Sequence, residues 1–260
     1  MGLNIVNNPD LYLIDRCSKI SNPPSRKKIA SPGESTTRTL IEKELSYRRA
    51  LKRECVFWMN KLREYHPYCY GSIARGDIEL NSDADIIIDP TASYKYEPIL
   101  SNKWISRTII QTTPNHGPKV VYELPNKIHI SVPFTELSSR EIEFLSFGGK
   151  LNLPNFQNGE FSIGINKRLM LVEPLDRKGY SFKYTSIKSM PIHVVARRVN
   201  CGVEVILERI RVLTKRDRKG RTGVYLHHPL NKDEQPEEIL RELIATNIGL
   251  KKTLARRHYR

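Results

Sequence analysis

The spacing of apolar residues predicts one long helix followed by several strands in the first half of the chain. Apolar side chains recur near the helical period from about residue 37 to residue 65, and His66-Pro67 ends this helix because the residue before a proline avoids helical geometry. Short runs rich in β-branched and aromatic residues, bounded by turn residues, are typical of strands. These runs lie at 68–70, 83–89, 105–113, 119–124 and 127–132.

The second half of the chain mixes β structure with helices. Ser138 and Glu141 have the spacing of a capping box, which predicts the start of a helix. Residues 150–185 are rich in turn residues and predict further β structure, whereas apolar spacing predicts helix over 192–213. A last helix begins near Pro236, where a proline and two acids favour a helix N-terminus. Elements in this order predict an α+β fold.

The chain carries a strong excess of positive charge. Its 260 residues include 43 Lys and Arg against 28 Asp and Glu, which gives a formal net charge of +15 and a pI near 9.7. Basic surfaces attract polyanions, of which nucleic acid is the most common, although a basic surface also serves solubility alone. Charge therefore favours a nucleic-acid partner without indicating any chemistry.

Composition also argues against several classes of protein. No apolar run approaches the roughly 20 residues that a membrane span needs, so an integral membrane protein is not expected. The four cysteines show no CxxC pairing, which argues against a zinc ribbon or a disulfide scaffold. The first ten residues lack the basic and apolar regions of a signal peptide. We therefore expect a cytoplasmic protein.

Two aspartates carry the most specific chemical signal. Asp83 and Asp85 stand two apart in a predicted strand, so both carboxylates project from one face. Such a pair repels itself unless a cation lies between the carboxylates, and hard oxygen ligands suit Mg²⁺ or Mn²⁺. Shortly before, Gly71 lets a phosphate approach the backbone and Ser72 offers a hydrogen-bond donor. An isolated Asp-x-Asp usually marks a solvated strand edge, but this combination is what phosphoryl or nucleotidyl transfer requires.

Residues 70–88 resemble the signature of the DNA polymerase beta-type nucleotidyltransferase superfamily, in which Gly-Ser precedes an Asp-x-Asp in an apolar strand. The continuation Arg75-Gly76-Asp77 is similar to minimal nucleotidyltransferases and CCA-adding enzymes of archaea, and the wider chain resembles archaeal predicted nucleotidyltransferases. The resemblance implies a nucleotidyltransferase-type mixed sheet flanked by helices. It also implies nucleoside triphosphate (NTP) binding by Gly71, Ser72 and Arg75, with Asp83 and Asp85 as metal ligands.

The resemblance further implies a third carboxylate on a later strand, where it helps to activate the attacking hydroxyl. The matching strand here has His129 at that place and no acid, and the nearest acid is Glu123 on the preceding strand of a predicted hairpin. Three explanations stay open. Glu123 serves as the third metal ligand, or His129 acts as a catalytic base or as a ligand for a softer metal such as Mn²⁺. In the third, the site binds nucleotide and metal with little or no catalysis.

A basic helical segment follows near the end of the chain. Two predicted helices meet at a short turn containing Gly202, and their apolar stripes resemble a helix-turn-helix, although so degenerate a pattern also arises by chance. Residues 215–223 place two glycines in a dense basic run, which is typical of a wing or phosphate-gripping loop and equally of a solvated charged loop. The candidate nucleic-acid ligands are Arg197, Arg198, Arg209, Arg211, Lys215, Arg216, Arg218, Lys219 and Arg221.

Together these features predict a four-part chain with one leading function. The parts are an N-terminal extension (1–36), a nucleotidyltransferase domain (37–150), a β-rich connection (151–189) and a basic, helical nucleic-acid-binding module (190–260) of possible winged helix-turn-helix type. The leading expectation is metal-dependent transfer of a nucleoside monophosphate from an NTP to an acceptor hydroxyl on nucleic acid. RNA is favoured over DNA as the acceptor. The alternatives are a non-catalytic nucleic-acid-binding protein on the same scaffold and a toxin-antitoxin-type enzyme that modifies protein or tRNA.

Overall fold

Among the residues that the computed structural model describes, which are 28–101, 103–220, 223–257 and 259, the chain forms two β-sheets with helices packed against both. This mixed architecture confirms the α+β class. The strands are β1 (Ser35–Thr39), β2 (Tyr68–Tyr70), β3 (Ala84–Ile87), β4 (Ser106–Gln111), β5 (Lys119–Leu124), β6 (Ile128–Pro133), β7 (Lys150–Asn152), β8 (Gly164–Ile165), β9 (Met170–Pro174), β10 (Ser181–Ser186) and β11 (Leu226–Pro229). The helices are α1 (Glu42–Lys61), α2 (Ser72–Arg75), α3 (Ser93–Leu100), α4 (Ser139–Gly148), α5 (Leu153–Gln157), α6 (Ile192–Val199), α7 (Val203–Lys219), α8 (Pro236–Thr246) and α9 (Ile248–Arg256).

The larger sheet is mixed and holds its strands in the order β11-β4-β5-β6-β3-β2-β7. The predicted strands β2 to β6 are confirmed, with ends that differ from the prediction by about two residues or fewer. Strands β3 and β6 run parallel, and their register sets Asp85 beside His129. Strand β5 returns antiparallel to β6, which sets Glu123 on the other side of His129. The order of the strands therefore brings distant polar residues into one row.

The two faces of the larger sheet differ because successive side chains of a strand point to opposite sides. On one face Ile86, Tyr122 and Ile130 are fully buried in the main core, which also contains Leu51 of α1 and Tyr96 of α3. Burying a large apolar side chain stabilises a fold by about 1.5–3 kcal/mol, so this face holds the helices firmly on the sheet. The opposite face carries the polar half of the alternation, and the candidate site lies there.

The smaller sheet is antiparallel, in the order β1-β10-β9-β8, and it corrects the prediction for the start of the first helix. Residues 35–39 pair with β10 as a strand, and α1 begins only at Glu42. The three threonines of this segment are β-branched and favour extended backbone, and the neighbouring strand supplies the pairing that local sequence does not show. Strand β1 therefore spans the boundary expected at residue 36 between the N-terminal extension and the next domain.

Helices α4, α6 and α7 pack together beside the smaller sheet, with Phe147, Val195 and Ile206 buried in a shared cluster. The capping box is confirmed, because the amide of Glu141 donates to the Ser138 hydroxyl and the amide of Ser138 donates to the Glu141 carboxylate. The prediction of a loop from residue 215 was wrong for its first part, since α7 continues to Lys219. Arginine and lysine are good helix formers, and glycine ends the helix.

The last elements pack on the larger sheet. Strand β11 pairs with β4, and α8 and α9 bury Leu240, Leu250 and Leu254 against Ile109 of β4. Residues 190–260 thus contribute to two separate cores, and the expected single last helix is broken at Asn247, which caps α9. Within the part of the chain that the structure describes, no helix combines the length and apolar character needed to cross a membrane.

Candidate metal centre

Asp83, Asp85 and His129 converge on the polar face of the larger sheet. The Nδ1 atom of His129 lies 3.7 Å from Asp83 Oδ2 and 3.6 Å from Asp85 Oδ1. One ligand atom from each of the three residues lies within 4.8 Å of the other two. The parallel register of β3 and β6 brings Asp85 to His129, and Asp83, two residues earlier, shares the same face. Three donors this close can ligate a single divalent cation.

Gly71 brings the backbone close to this cluster. It follows β2 with φ at 78°, and its amide donates to the Gly149 carbonyl at 2.8 Å. A Cβ atom at this position would stand 4.0 Å from Asp85 Oδ2, in a backbone conformation that strains residues other than glycine. Ser72 follows as the first residue of the short helix α2 and is half-buried. The Gly71-Ser72 pair therefore lies at the edge of the aspartate cluster.

Glu123 lies one strand further from the aspartates. It faces His129 across the β5–β6 pair, is exposed, and accepts a hydrogen bond from the Ser106 hydroxyl at 2.9 Å. Within the described residues, the group whose ligand atoms converge contains His129 and not Glu123. The third position of the cluster is thus held by an imidazole.

The surroundings of His129 favour its charged form. Attraction by Asp85 raises the pKa of the imidazole, partial burial opposes that rise, and the charges of Asp83 and Glu123 add to it. The net pKa lies above the ordinary value for histidine. Because the folded-state pKa exceeds that of the unfolded chain, this pairing stabilises the fold at low pH and its contribution is lost as pH rises through the folded-state pKa.

Replacing Asp85 by asparagine is expected to lower the pKa of His129, because the change removes the carboxylate that attracts the imidazolium most strongly. An NMR titration of the imidazole in the presence of a chelator measures this directly. Asp89→Asn is a matched control, since Asp89 contacts His66 at 2.7 Å beyond the other end of β3. An unchanged His129 pKa in Asp85→Asn would contradict the described geometry.

Lys119, which the sequence analysis missed, and Ser131, which the alternation of β6 places on the polar face, extend the cluster. The ammonium group of Lys119 donates to the Ser131 hydroxyl at 2.9 Å. Ser131 lies two residues after His129, so it shares the polar face. Burial lowers the pKa of Lys119 and the negative charge of Asp85 opposes this, so the lysine lies within electrostatic reach of the cluster. The alternation of β5 was the signal that could have found Lys119.

Tyr70 is a third residue that the sequence analysis left without a role. It pairs directly with Asp85 across β2 and β3. Burial and the charge of Asp85 raise the pKa of the phenol well above its usual range, so Tyr70 stays neutral and can act as a hydrogen-bond donor.

Arg75, for which the resemblance implies a nucleotide contact, makes structural contacts in the folded chain. Its side chain is buried, and its Nε atom lies 3.0 Å from the Asp77 carboxylate, which is buried too. A terminal nitrogen of the guanidinium donates to the Gly148 carbonyl at 2.6 Å. Arg75 therefore ties the segment after α2 to the end of α4.

The structure separates the basic residues that sequence grouped as nucleic-acid ligands. Arg198 forms an ion pair with Glu173. Arg209 packs over Phe144, with its guanidinium carbon 4.6 Å from the ring centroid, and burial lowers its pKa to about 10. Arg221 lies outside the described residues. The exposed members are Arg197 and Arg198 on α6 and Arg211, Lys215, Arg216, Arg218 and Lys219 on α7, and among these Arg198 already has an acidic partner.

Comparison of the chain with protein-family models, with curated proteins and with solved structures finds no match. The function is therefore argued from the residues themselves.

Proposed function

We propose that the protein is a metal-dependent nucleotidyltransferase that transfers a nucleoside monophosphate from an NTP to an acceptor hydroxyl. RNA is favoured over DNA as the molecule that carries this hydroxyl. The observation that carries the proposal is the convergence of Asp83, Asp85 and His129 beside the left-handed Gly71. In this reaction the acceptor oxygen bonds to the α-phosphorus while the bond to the β-phosphate oxygen breaks, which releases pyrophosphate and a proton.

The residues of the cluster fit a divalent cation. Two carboxylates supply hard oxygen donors, and the neighbouring imidazole makes the set better suited to Mn²⁺ than to Mg²⁺. Such a cation supplies Lewis-acid stabilisation of the charge that develops on phosphate oxygens. Asp83 and Asp85 would hold it on the polar face, and the absence of a side chain at Gly71 would let a phosphate approach beside them. Lys119, which donates to Ser131 on the same face, lies within electrostatic reach of Asp85.

The test is pyrophosphate release from each of the NTPs, with an RNA oligonucleotide as acceptor and either Mn²⁺ or Mg²⁺ as the metal. Mn²⁺ is expected to support the faster reaction in the natural sequence. His129→Asp supplies a third carboxylate and is expected to raise the ratio of the Mg²⁺-supported to the Mn²⁺-supported rate by about tenfold. His193→Asp, at an exposed position on α6, is the matched control. An unchanged ratio in His129→Asp would contradict the assignment of His129 as a ligand.

The presence of His129 where the resemblance implies an acid favours a second candidate, a non-catalytic nucleotide-binding scaffold. This candidate predicts that the natural sequence binds Mn²⁺ and NTP but releases no pyrophosphate with any metal. Calorimetric titration with a non-hydrolysable NTP analogue measures the binding step separately. Binding without release would overturn the enzymatic proposal and support the scaffold.

A further inference from the structure

The outward face of α7 carries a line of cations that begins next to two apolar side chains. Arg211, Lys215 and Lys219 recur every four residues and Arg218 lies beside them, so all four share one face of the helix. At about 1.5 Å of rise per residue, successive turns place these charges about 6 Å apart. Leu207 lies one turn before Arg211 and Ile210 directly precedes that arginine, and a groove of about 370 Å³ runs along the whole row. We call these six residues the α7 track.

The cations of the α7 track are available to an external partner. The four are exposed, and the ion pairs found among the described residues involve none of them. Two other arginines predicted as ligands differ, since Arg198 pairs with Glu173 and Arg209 packs on Phe144. An unneutralised row of positive charge on one helix face has a polyanion as its natural complement.

The apolar end of the α7 track narrows the kind of polyanion. Leu207 is 50% exposed and lines the same groove as the partly buried Ile210, so the row of cations ends in an apolar patch. An unpaired base can pack on such a surface while its phosphates meet the cations, whereas a duplex keeps its bases stacked and out of reach. The combination therefore favours a single strand over a double helix.

Helix α7 is linked to the sheet that carries the metal centre by residues outside the track. Its N-terminal half packs on α4 through Arg209 and Phe144. Glu208, on the same turn, lies near enough to His116 in the β4–β5 connection for its charge to act on that imidazole. Three residues later Lys119 begins β5 and contacts Ser131 beside the cluster.

We propose that the α7 track binds a single-stranded polynucleotide, with phosphates on its four cations and a base against Leu207. The inference rests on the proposed function in one respect, because it names the bound strand as the acceptor. Binding itself needs neither NTP nor metal, so it can be measured without the reaction.

The experiment is fluorescence anisotropy with the full chain, in chelator and without NTP, on labelled single-stranded RNA and DNA of about 12 nucleotides and on the RNA duplex. Glutamine at the four track cations is expected to weaken single-strand binding by about 20-fold or more and to reduce the slope of log K against log salt by about 2.8, or 0.7 for each contact. The matched control removes two lysines and two arginines from other exposed positions and should change affinity by about threefold or less. The control positions are Lys43, Arg63, Lys167 and Arg177.

Several outcomes would overturn the inference. An equal loss of single-strand affinity in the track and control variants would show that only net charge matters. Equal affinity of the natural sequence for the duplex and the single strand would contradict the packing of an unpaired base on Leu207. A natural sequence that binds no polynucleotide would assign the face to an acidic protein instead. A preference for single-stranded RNA or for single-stranded DNA supports the inference in either case and identifies which polynucleotide the α7 track binds.

The inference and the proposed function can fail separately. Asp83→Asn combined with Asp85→Asn is expected to bind the strand as the natural sequence does while losing pyrophosphate release. Strand binding on the track without release by the natural sequence would overturn the enzymatic proposal alone. If the variant with glutamine at the four track cations still releases pyrophosphate with an unchanged KM for the single strand, the inference is overturned and the enzymatic proposal stands.

Discussion

Replacing Asp85 by asparagine is expected to reduce the kcat/KM of pyrophosphate release by about 10³-fold or more, which corresponds to about 4 kcal/mol of lost transition-state stabilisation. Asparagine keeps the size of the side chain and one oxygen donor but removes a negative charge that lies 3.6 Å from His129. The cluster would then hold a divalent cation with one carboxylate and one imidazole. Steady-state rates at saturating Mn²⁺, together with Mn²⁺ affinity by calorimetry, measure both consequences.

Asp89→Asn is the matched control for this prediction. It makes the same chemical change shortly after β3, where the carboxylate contacts His66 and lies outside the convergent group of the described residues. We expect its kcat/KM to stay within about twofold of the natural value, with thermal melting confirming that both variants fold. Full activity in Asp85→Asn would contradict the assignment of the metal centre.

Replacing Arg75 by methionine is expected to lower the free energy of unfolding by about 3–5 kcal/mol, because it leaves Asp77 buried without its charge partner. The carbonyl of Gly148 loses a donor as well. Urea denaturation followed by circular dichroism measures the change. If Arg75 instead bound nucleotide, the variant would lose activity with little loss of stability.

The pH dependence of this variant gives a second readout. Burial raises the pKa of Asp77 and Arg75 opposes that rise, so removal of the arginine raises the pKa further. When the folded-state pKa of a carboxyl lies above its unfolded-state pKa, the free energy of unfolding falls as pH rises from the lower pKa to the higher one. The destabilisation of Arg75→Met should therefore be small near pH 4 and grow toward pH 7. Adding Asp77→Asn removes the buried charge and is expected to recover part of the loss at neutral pH.

Much of the fold and part of the site follow from local sequence signals. Apolar alternation predicted β2 to β6, and the Ser138 and Glu141 spacing predicted the start of α4, because these features depend on neighbouring residues alone. The same alternation placed Asp83 and Asp85 on one face. Local signals failed at β1, whose strand needs β10 as a partner, and they did not indicate the ion pair of Arg75 with Asp77, which depends on the burial of both side chains.

By itself, the amino-acid sequence determined strands β2 to β6, the start of α4, the shared face of the two aspartates and the basic character of residues 197–219. The tertiary structure decided which residue completes the cluster, since Glu123 and His129 lie on the same face and differ only in their distance from Asp85. It also decided which cations of the described residues are left without a partner, by packing Arg209 on Phe144 and pairing Arg198 with Glu173. A period of two fixes the face of a side chain, but strand order and register arise from contacts between residues far apart in the chain.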